Sequence, residues 1–257
     1  MPYRVTRLSI TPVKGLQLHH PASVELTPSG AVGDRQFHLV DAASTLQSCT
    51  HNQALLTLRA EYDAVQRRLS VTTRGGEVLH SDVVKDGARL EVDLHGVRTS
   101  PAAYVDGGWH DLFSDILGKP VRLVRAHAPA YDVCPATLVG SASVAELARR
   151  SGLAEVDARR FRMLIEFDGG EPHVEDAWDG RTIVVGGAVL RGGGLVKRCA
   201  ATTRNPDSGQ VDLQTLRQIL GYRGRQATVL GQGPAFGVYA TVVDAGSVTV
   251  GDVLTIS

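Results

Sequence analysis

The feature that limits this chain most is its punctuation. Between Arg4 and about Leu94, short apolar or alternating segments (VTRLSITPV, ASVEL, QFHLV, LLTLRAEYD, RLSVTT, ARLEVDL) are interrupted every few residues by Gly, Pro or Asp. Alternation buries one face of a strand and those three residue types supply turns, so closely spaced short segments predict a barrel or sandwich. Helical spacing is confined to three stretches. WHDLFSDILG (109–118) places Leu112, Phe113, Ile116 and Leu117 together, with Gly118 and Pro120 as stops. SASVAELARRSGL begins at Ser141, has Ser143 as a candidate cap and ends near Gly152, while DLQTLRQILGY has Asp212 as a candidate cap. Further strand patterns, FRMLIEF, RTIVV, AVLRG and FGVYATVVDAGSVTVGDVLTIS, surround the later helices. The expected fold is mainly β with a few α-helices, arranged as two β-barrel-like domains. The long loop-like segment 126–143 suggests a junction near 120–130, dividing the chain into 1–120 and 121–257.

Charge and cysteine usage narrow the function. Lys plus Arg and Asp plus Glu both number 27 in 257 residues, so no global field draws the protein to nucleic acid or an anionic membrane. An anionic ligand must therefore be held by a local cluster. The start, MPYRVTRLSITPVKGL, lacks an apolar run of signal-peptide length, and no stretch reaches the roughly 20 apolar residues of a membrane helix, so the expected setting is cytoplasmic. The three cysteines, Cys49, Cys134 and Cys199, are odd in number and widely spaced, which fits neither a disulfide framework nor an iron–sulfur or zinc motif.

Cys199 is the residue whose surroundings ask for chemistry. It follows Lys197 and Arg198, and neighbouring cations favour a thiolate, the form that binds soft metals or attacks electrophiles. Gly192, Gly193 and Gly194 before it allow close backbone approach, and NPDSG (205–209) after it has turn composition. Against this stands the ordinary behaviour of a free cysteine as a small buried hydrophobe. Lys14 beside Gly15, and Arg35 after Gly33 and Asp34, are each unremarkable as solvated charges but suit approach to a phosphate.

PVKGL followed by LTPSGAVGDRQFHLVD resembles the N-terminal β-barrel domain that precedes MOSC domains, the molybdenum cofactor sulfurase C-terminal type. RRFRMLIEF, VEDAWDG, LVKRCAATTRNPDSG, LQTLR and FGVYATVVDAGSVTVGD continue that pattern in order, so the resemblance spans nearly the whole chain. Similar two-part proteins include the mitochondrial amidoxime-reducing component and bacterial reductases of N-hydroxylated bases. The resemblance implies a molybdenum–molybdopterin cofactor with Cys199 as metal ligand and catalytic residue. It also implies cofactor contacts from Lys14, Gly15, Arg35, Arg162, Lys197, Arg198 and Tyr239, and hydroxyl contacts from Ser141 and Ser143. Two departures fall in the site: Met163 and Leu164 stand where relatives commonly have Pro-Asn, and Val196 to Arg198 stand where they often have Cys-Ser-Arg.

The implied activity is a molybdenum-dependent reduction of small N-hydroxylated or N-oxide substrates by oxygen-atom removal. Electrons would come from a separate reductase or ferredoxin, since the cysteines cannot hold an iron–sulfur cluster. No room exists for a pyridoxal-phosphate desulfurase module, so a complete sulfurase is not expected. The alternatives are a non-catalytic cofactor or sulfur carrier, with Cys199 as persulfide or metal thiolate, and a cofactor-free scaffold.

Overall fold

The chain's first strand, Tyr3–Leu8, pairs with none of the segments that follow it closely. It crosses the molecule to lie between Ile165–Asp168 and Val253–Ile256, both antiparallel to it. The computed structural model describes residues 2–94 and 96–257. In it this strand completes a closed seven-stranded barrel running Tyr3–Leu8, Ile165–Asp168, Ala136–Gly140, Ala235–Asp244, Ala188–Lys197, Thr182–Val185, Val253–Ile256. All neighbours are antiparallel except Ala136–Gly140 with Ile165–Asp168. A register shift between Val5 and Arg7 interrupts the alternation of the first strand, so that Val5 and Leu8 both face inward, where they join Ile165, Phe167, Ile183, Leu190, Val238 and Leu254 in one core.

The other half is built around a five-stranded sheet ordered Leu46–Gln47, Phe37–Val40, Arg122–Ala126, Arg98–Asp106, Lys85–Leu94. An isolated bridge between Thr45 and Asp93 ties its two edges, so the sheet curls around Val40, Val92, Ala102 and Val124. Leu58–Asp63, Arg68–Thr73 and Val78–Val83 form a separate three-stranded sheet. The helix α1 (Trp109–Leu117) buries Trp109, Phe113 and Leu117 against Val13, Leu16 and Phe37, and Gly118 ends it in the left-handed conformation.

The expected cut at residue 120 is crossed in both directions. Tyr3–Leu8 belongs to the later barrel, Arg122–Ala126 belongs to the earlier sheet, and Ser23–Thr27 pairs with Gly246–Thr249 near the C-terminus. The stretch 126–143, expected as loop, is only half so: Ala136–Gly140 is a barrel strand that runs straight into α2 (Ser141–Arg150). Ser143 does not cap that helix. It lies inside it, wholly buried, with its hydroxyl on the Glu175 carboxylate. Asp212 likewise is not a cap; α3 (Thr215–Arg223) starts three residues later, and Asp212 accepts from Arg160 instead.

Candidate functional site

Three backbone features bring distant cations to one place. Lys14 follows directly on Val13, whose bridge to Phe37 brings it beside the five-stranded sheet. Arg35 sits at φ 47, held by its N–H donating to Thr11 O at 2.6 Å. Arg162 at φ 53 closes a single 3-10 turn, Ala158–Phe161, begun by Asp157 accepting from Arg159 N. A non-glycine residue in the left-handed region is uncommon, and two such arginines aimed at one cleft mark a functional arrangement. The cleft, of about 420 Å³, is walled by both halves: Lys14, Gly15, Arg35, Cys49 and Thr50 from one, Tyr131, Asp132, Cys134, Arg162, Met163, Lys197, Arg198, Cys199 and Tyr239 from the other.

Lys14 is buried, Arg35, Arg162 and Arg198 are half-buried, and all four are anchored. Lys14 is 7% exposed and donates to Ala130 O at 2.6 Å and to the Asp132 carboxylate. Burial pushes its ammonium pKa down, and Asp132 opposes that. Arg35 pairs with Asp34 and donates to Arg162 O at 3.2 Å. Burial works against its charge, but Asp34 and Asp132 outweigh burial and its pKa rises. Arg162 donates to Leu16 O at 2.7 Å and Arg198 to Phe161 O at 2.5 Å, and burial lowers both. A guanidinium nonetheless stays charged under all protein conditions. Tyr239 is 4% exposed, and burial, with Asp132 adding, pushes its hydroxyl up to about 12.

Of the residues singled out by sequence, Lys14, Gly15, Arg35, Arg162, Lys197, Arg198, Cys199 and Tyr239 all face this one cleft. Lys197 contributes less charge than expected, because its ammonium leans out onto Leu230 O at 3.0 Å. Ser141 and Ser143 are corrected: Ser141 faces a different hollow beside Arg7 and Glu166, and Ser143 is consumed by Glu175 and by accepting from His173 N. The hydroxyl-bearing residues on the cleft wall are Ser48, Thr50, Tyr131, Thr137 and Tyr239. Thr50 and Asp132 escaped sequence reasoning because their partners, Cys199 and Lys14, are 149 and 118 residues away.

Of the glycines before Cys199, Gly192 is the one that a close approach requires. A Cβ there would lie 1.8 Å from Trp178 O, at the end of the 3-10 turn Val174–Trp178, whose Trp178 stacks on Phe167, whereas the nearest neighbours of a Cβ at Gly193 are Cys134 and Tyr239 at 3.6 Å. Cys199 itself is exposed, while Cys49 is buried and Cys134 half-buried, and burial raises both their thiols.

The donor set fits a large anionic cofactor that brings its own metal ligands. Among the described residues no three His, Cys, Asp or Glu side chains converge as a metal cage. A metal held at Cys199 therefore needs its remaining ligands from a carrier molecule, and the buried Lys14 with the half-buried Arg35, Arg162 and Arg198 lie in the same cleft to meet that carrier's negative charge. Arg198 Nε, buried without a hydrogen-bond partner among the described residues, is a donor in want of an acceptor.

Comparison with known proteins agrees. Residues 2–120 match the model of the MOSC N-terminal beta barrel domain and residues 128–255 that of the MOSC domain. The chain is 30% identical to mitochondrial amidoxime-reducing component 1 of Homo sapiens, covering 96% of this chain and 81% of that protein. It is 27% identical to molybdenum cofactor sulfurase of Oryza sativa subsp. japonica over 86% of this chain but spans only 31% of that protein. A crystal structure of the YUAD protein from Bacillus subtilis aligns over all of this chain, with 14% identity and a TM-score of 0.49. With both family models matched in order and a relative aligned over nearly its full length, the chain belongs to the MOSC domain family.

Proposed function

We propose that this protein binds the molybdenum–molybdopterin cofactor in the cleft between its two halves and reduces small N-hydroxylated or N-oxide compounds. One observation carries the reading: the exposed Cys199 thiol shares a cleft with the buried Lys14 and the half-buried Arg35, Arg162 and Arg198. When bound, the cofactor supplies two-electron removal of oxygen from an N–O bond, with the overall balance R–NHOH + 2 H⁺ + 2 e⁻ → R–NH₂ + H₂O.

The chain's residues prepare that chemistry. Cys199, the exposed one of the three cysteine thiols in the cleft, would offer its sulfur to the metal, and Lys14, Arg35, Arg162 and Arg198 would hold the cofactor's anionic phosphate end. Their partial burial weakens screening by water, which strengthens charge-assisted bonds to an anion relative to the same bonds at an open surface. Tyr239, pushed up to about 12, keeps its phenolic proton at neutral pH and offers a hydroxyl, never an anion. Substrate reaches the sulfur past Thr50, His51, Val97 and Leu230, which also line the cleft. Electrons come from a separate donor protein, a reductase or ferredoxin, in a cytoplasmic setting; among the described residues no helix is long and apolar enough to cross a membrane.

The test is expression in a host that makes the cofactor, measurement of molybdenum and pterin per protein, and assay with an amidoxime or hydroxylamine and a chemical reductant. Near-stoichiometric metal with turnover supports the reading; absence of metal overturns it. One observation favours a carrier role instead: Met163 and Leu164 give the cleft wall an apolar surface, and the Leu164 N–H is spent on Thr137 Oγ1 at 2.9 Å. Bound molybdenum without turnover is the outcome that selects the carrier.

A further inference from the structure

The turn at 205–209 has so far no part in the site. Asn205 Oδ1 accepts from the N–H groups of Asp207 and Ser208 at 2.9 and 3.1 Å, which folds the turn tightly. Gly209 closes it at φ 72, where a Cβ would lie 2.3 Å from Gln53 O, so the turn is pressed against the loop 48–53. Arg204 stitches the two together, donating to Gly209 O at 3.0 Å and to Thr50 O at 3.1 Å. The result is that Thr50 Oγ1 stands 3.7 Å from Cys199 Sγ, within hydrogen-bond reach for sulfur.

We propose that Thr50 is a positioning residue for Cys199, orienting the sulfur through its hydroxyl and donating to it when it is held by a metal, with Arg204 and the 205–209 turn holding Thr50 in register. In a thiol either atom can donate, but a thiolate has no proton, so the direction of the bond is then fixed from hydroxyl to sulfur. Donation draws electron density from the sulfur, favours the more reduced state of a metal bound there, and raises its reduction potential. The metal part of this inference rests on the cofactor reading above; the contact between Thr50 and the sulfur does not.

The experiment has two arms. In metal-free full-length protein, iodoacetamide alkylation of the Cys199 peptide at pH 7 is followed by mass spectrometry. Thr50→Val is expected to slow it by about threefold, the scale of one lost hydrogen bond, because the sulfur loses the hydroxyl that orients it. Thr50→Ser retains the wild-type rate, and Arg204→Ala slows it as Thr50→Val does. In molybdenum-loaded protein, potentiometric titration is expected to give Thr50→Val a lower midpoint potential than wild type or Thr50→Ser. Equal alkylation rates for wild type and Thr50→Val, in variants with equal melting temperatures, overturn the proposal. A wild type that retains no molybdenum overturns the cofactor reading alone, and the alkylation arm still decides Thr50.

Discussion

At the scale of single residues, the cleft divides into groups that hold charge and groups that merely tolerate burial, and the two respond differently to substitution. Cys199→Ser leaves a weaker metal donor in an exposed position. It is therefore expected to lose nearly all bound molybdenum with little change in melting temperature, checked by elemental analysis beside calorimetry. His38 shows the opposite case. It is fully buried next to the cations, with neither ring nitrogen bonded among the described residues, and burial, then Lys14 and Arg98, bring its pKa to about 3. A folded pKa below the ordinary 6.5 means that the native state resists protonation. Its neutral form is fully compatible with folding above pH 6.5, and stability is lost as the pH falls from there toward 3, by up to about 1.4 kcal/mol per pH unit. His38→Leu is expected to remove that part of the acid slope and to stabilise the protein by about 1 kcal/mol at neutral pH, through loss of an unbonded buried polar ring. Urea melts between pH 4 and 7 read both effects. Some slope persists, because His173, near pH 4 through burial and Arg223, also resists protonation.

At the scale of elements, close approach rather than propensity sets what the strands will accept. Gly192→Ala would force a methyl into the Trp178 carbonyl at 1.8 Å, whereas the nearest atoms to a Cβ at Gly193 are 3.6 Å away. Gly192→Ala is expected to destabilise the barrel by about 3 kcal/mol or more, and Gly193→Ala by less than about 1. Chemical denaturation of the pair separates the two. The sequence announced that glycines were needed there but not for what, since a backbone contact between residues 192 and 178 has no local signature. Elements with local signatures were legible: α1 runs from Trp109 to Leu117 with its Gly118 stop, and strands 68–73 and 182–185 fall where alternation puts them. Val78–Val83 and Arg98–Asp106 were missed because both carry polar or charged residues on strongly exposed faces, and Pro101 sits inside the second. Of the site's cations, Lys14, Arg35 and Arg198 carried weak local signals, while Arg162 was legible only through resemblance to a family. Of the hydroxyls only Tyr239 was, and Ser141 and Ser143 lie away from the cleft, Ser141 on another hollow and Ser143 on Glu175.

At the scale of the molecule, the two family-matched segments are not two separable bodies. The barrel needs Tyr3–Leu8 to close between Ile165–Asp168 and Val253–Ile256, and Val5 and Leu8 are 2% and 0% exposed in its core. Without that strand the barrel has two unpaired edges and a gap onto its interior, a template for aggregation. The cleft is divided in the same way, with Lys14 and Arg35 before the expected junction and Arg162, Arg198 and Cys199 after it. A fragment of residues 121–257 is therefore expected to be unfolded or insoluble and to retain no molybdenum, although it contains Cys199. Co-expression with residues 1–120 is expected to restore both solubility and metal, because the missing strand and the missing cations lie together on that fragment. Circular dichroism and elemental analysis of the fragment, alone and with its complement, check this. A 121–257 fragment that melts cooperatively on its own would show that the seventh strand is dispensable and that the barrel closes by other means.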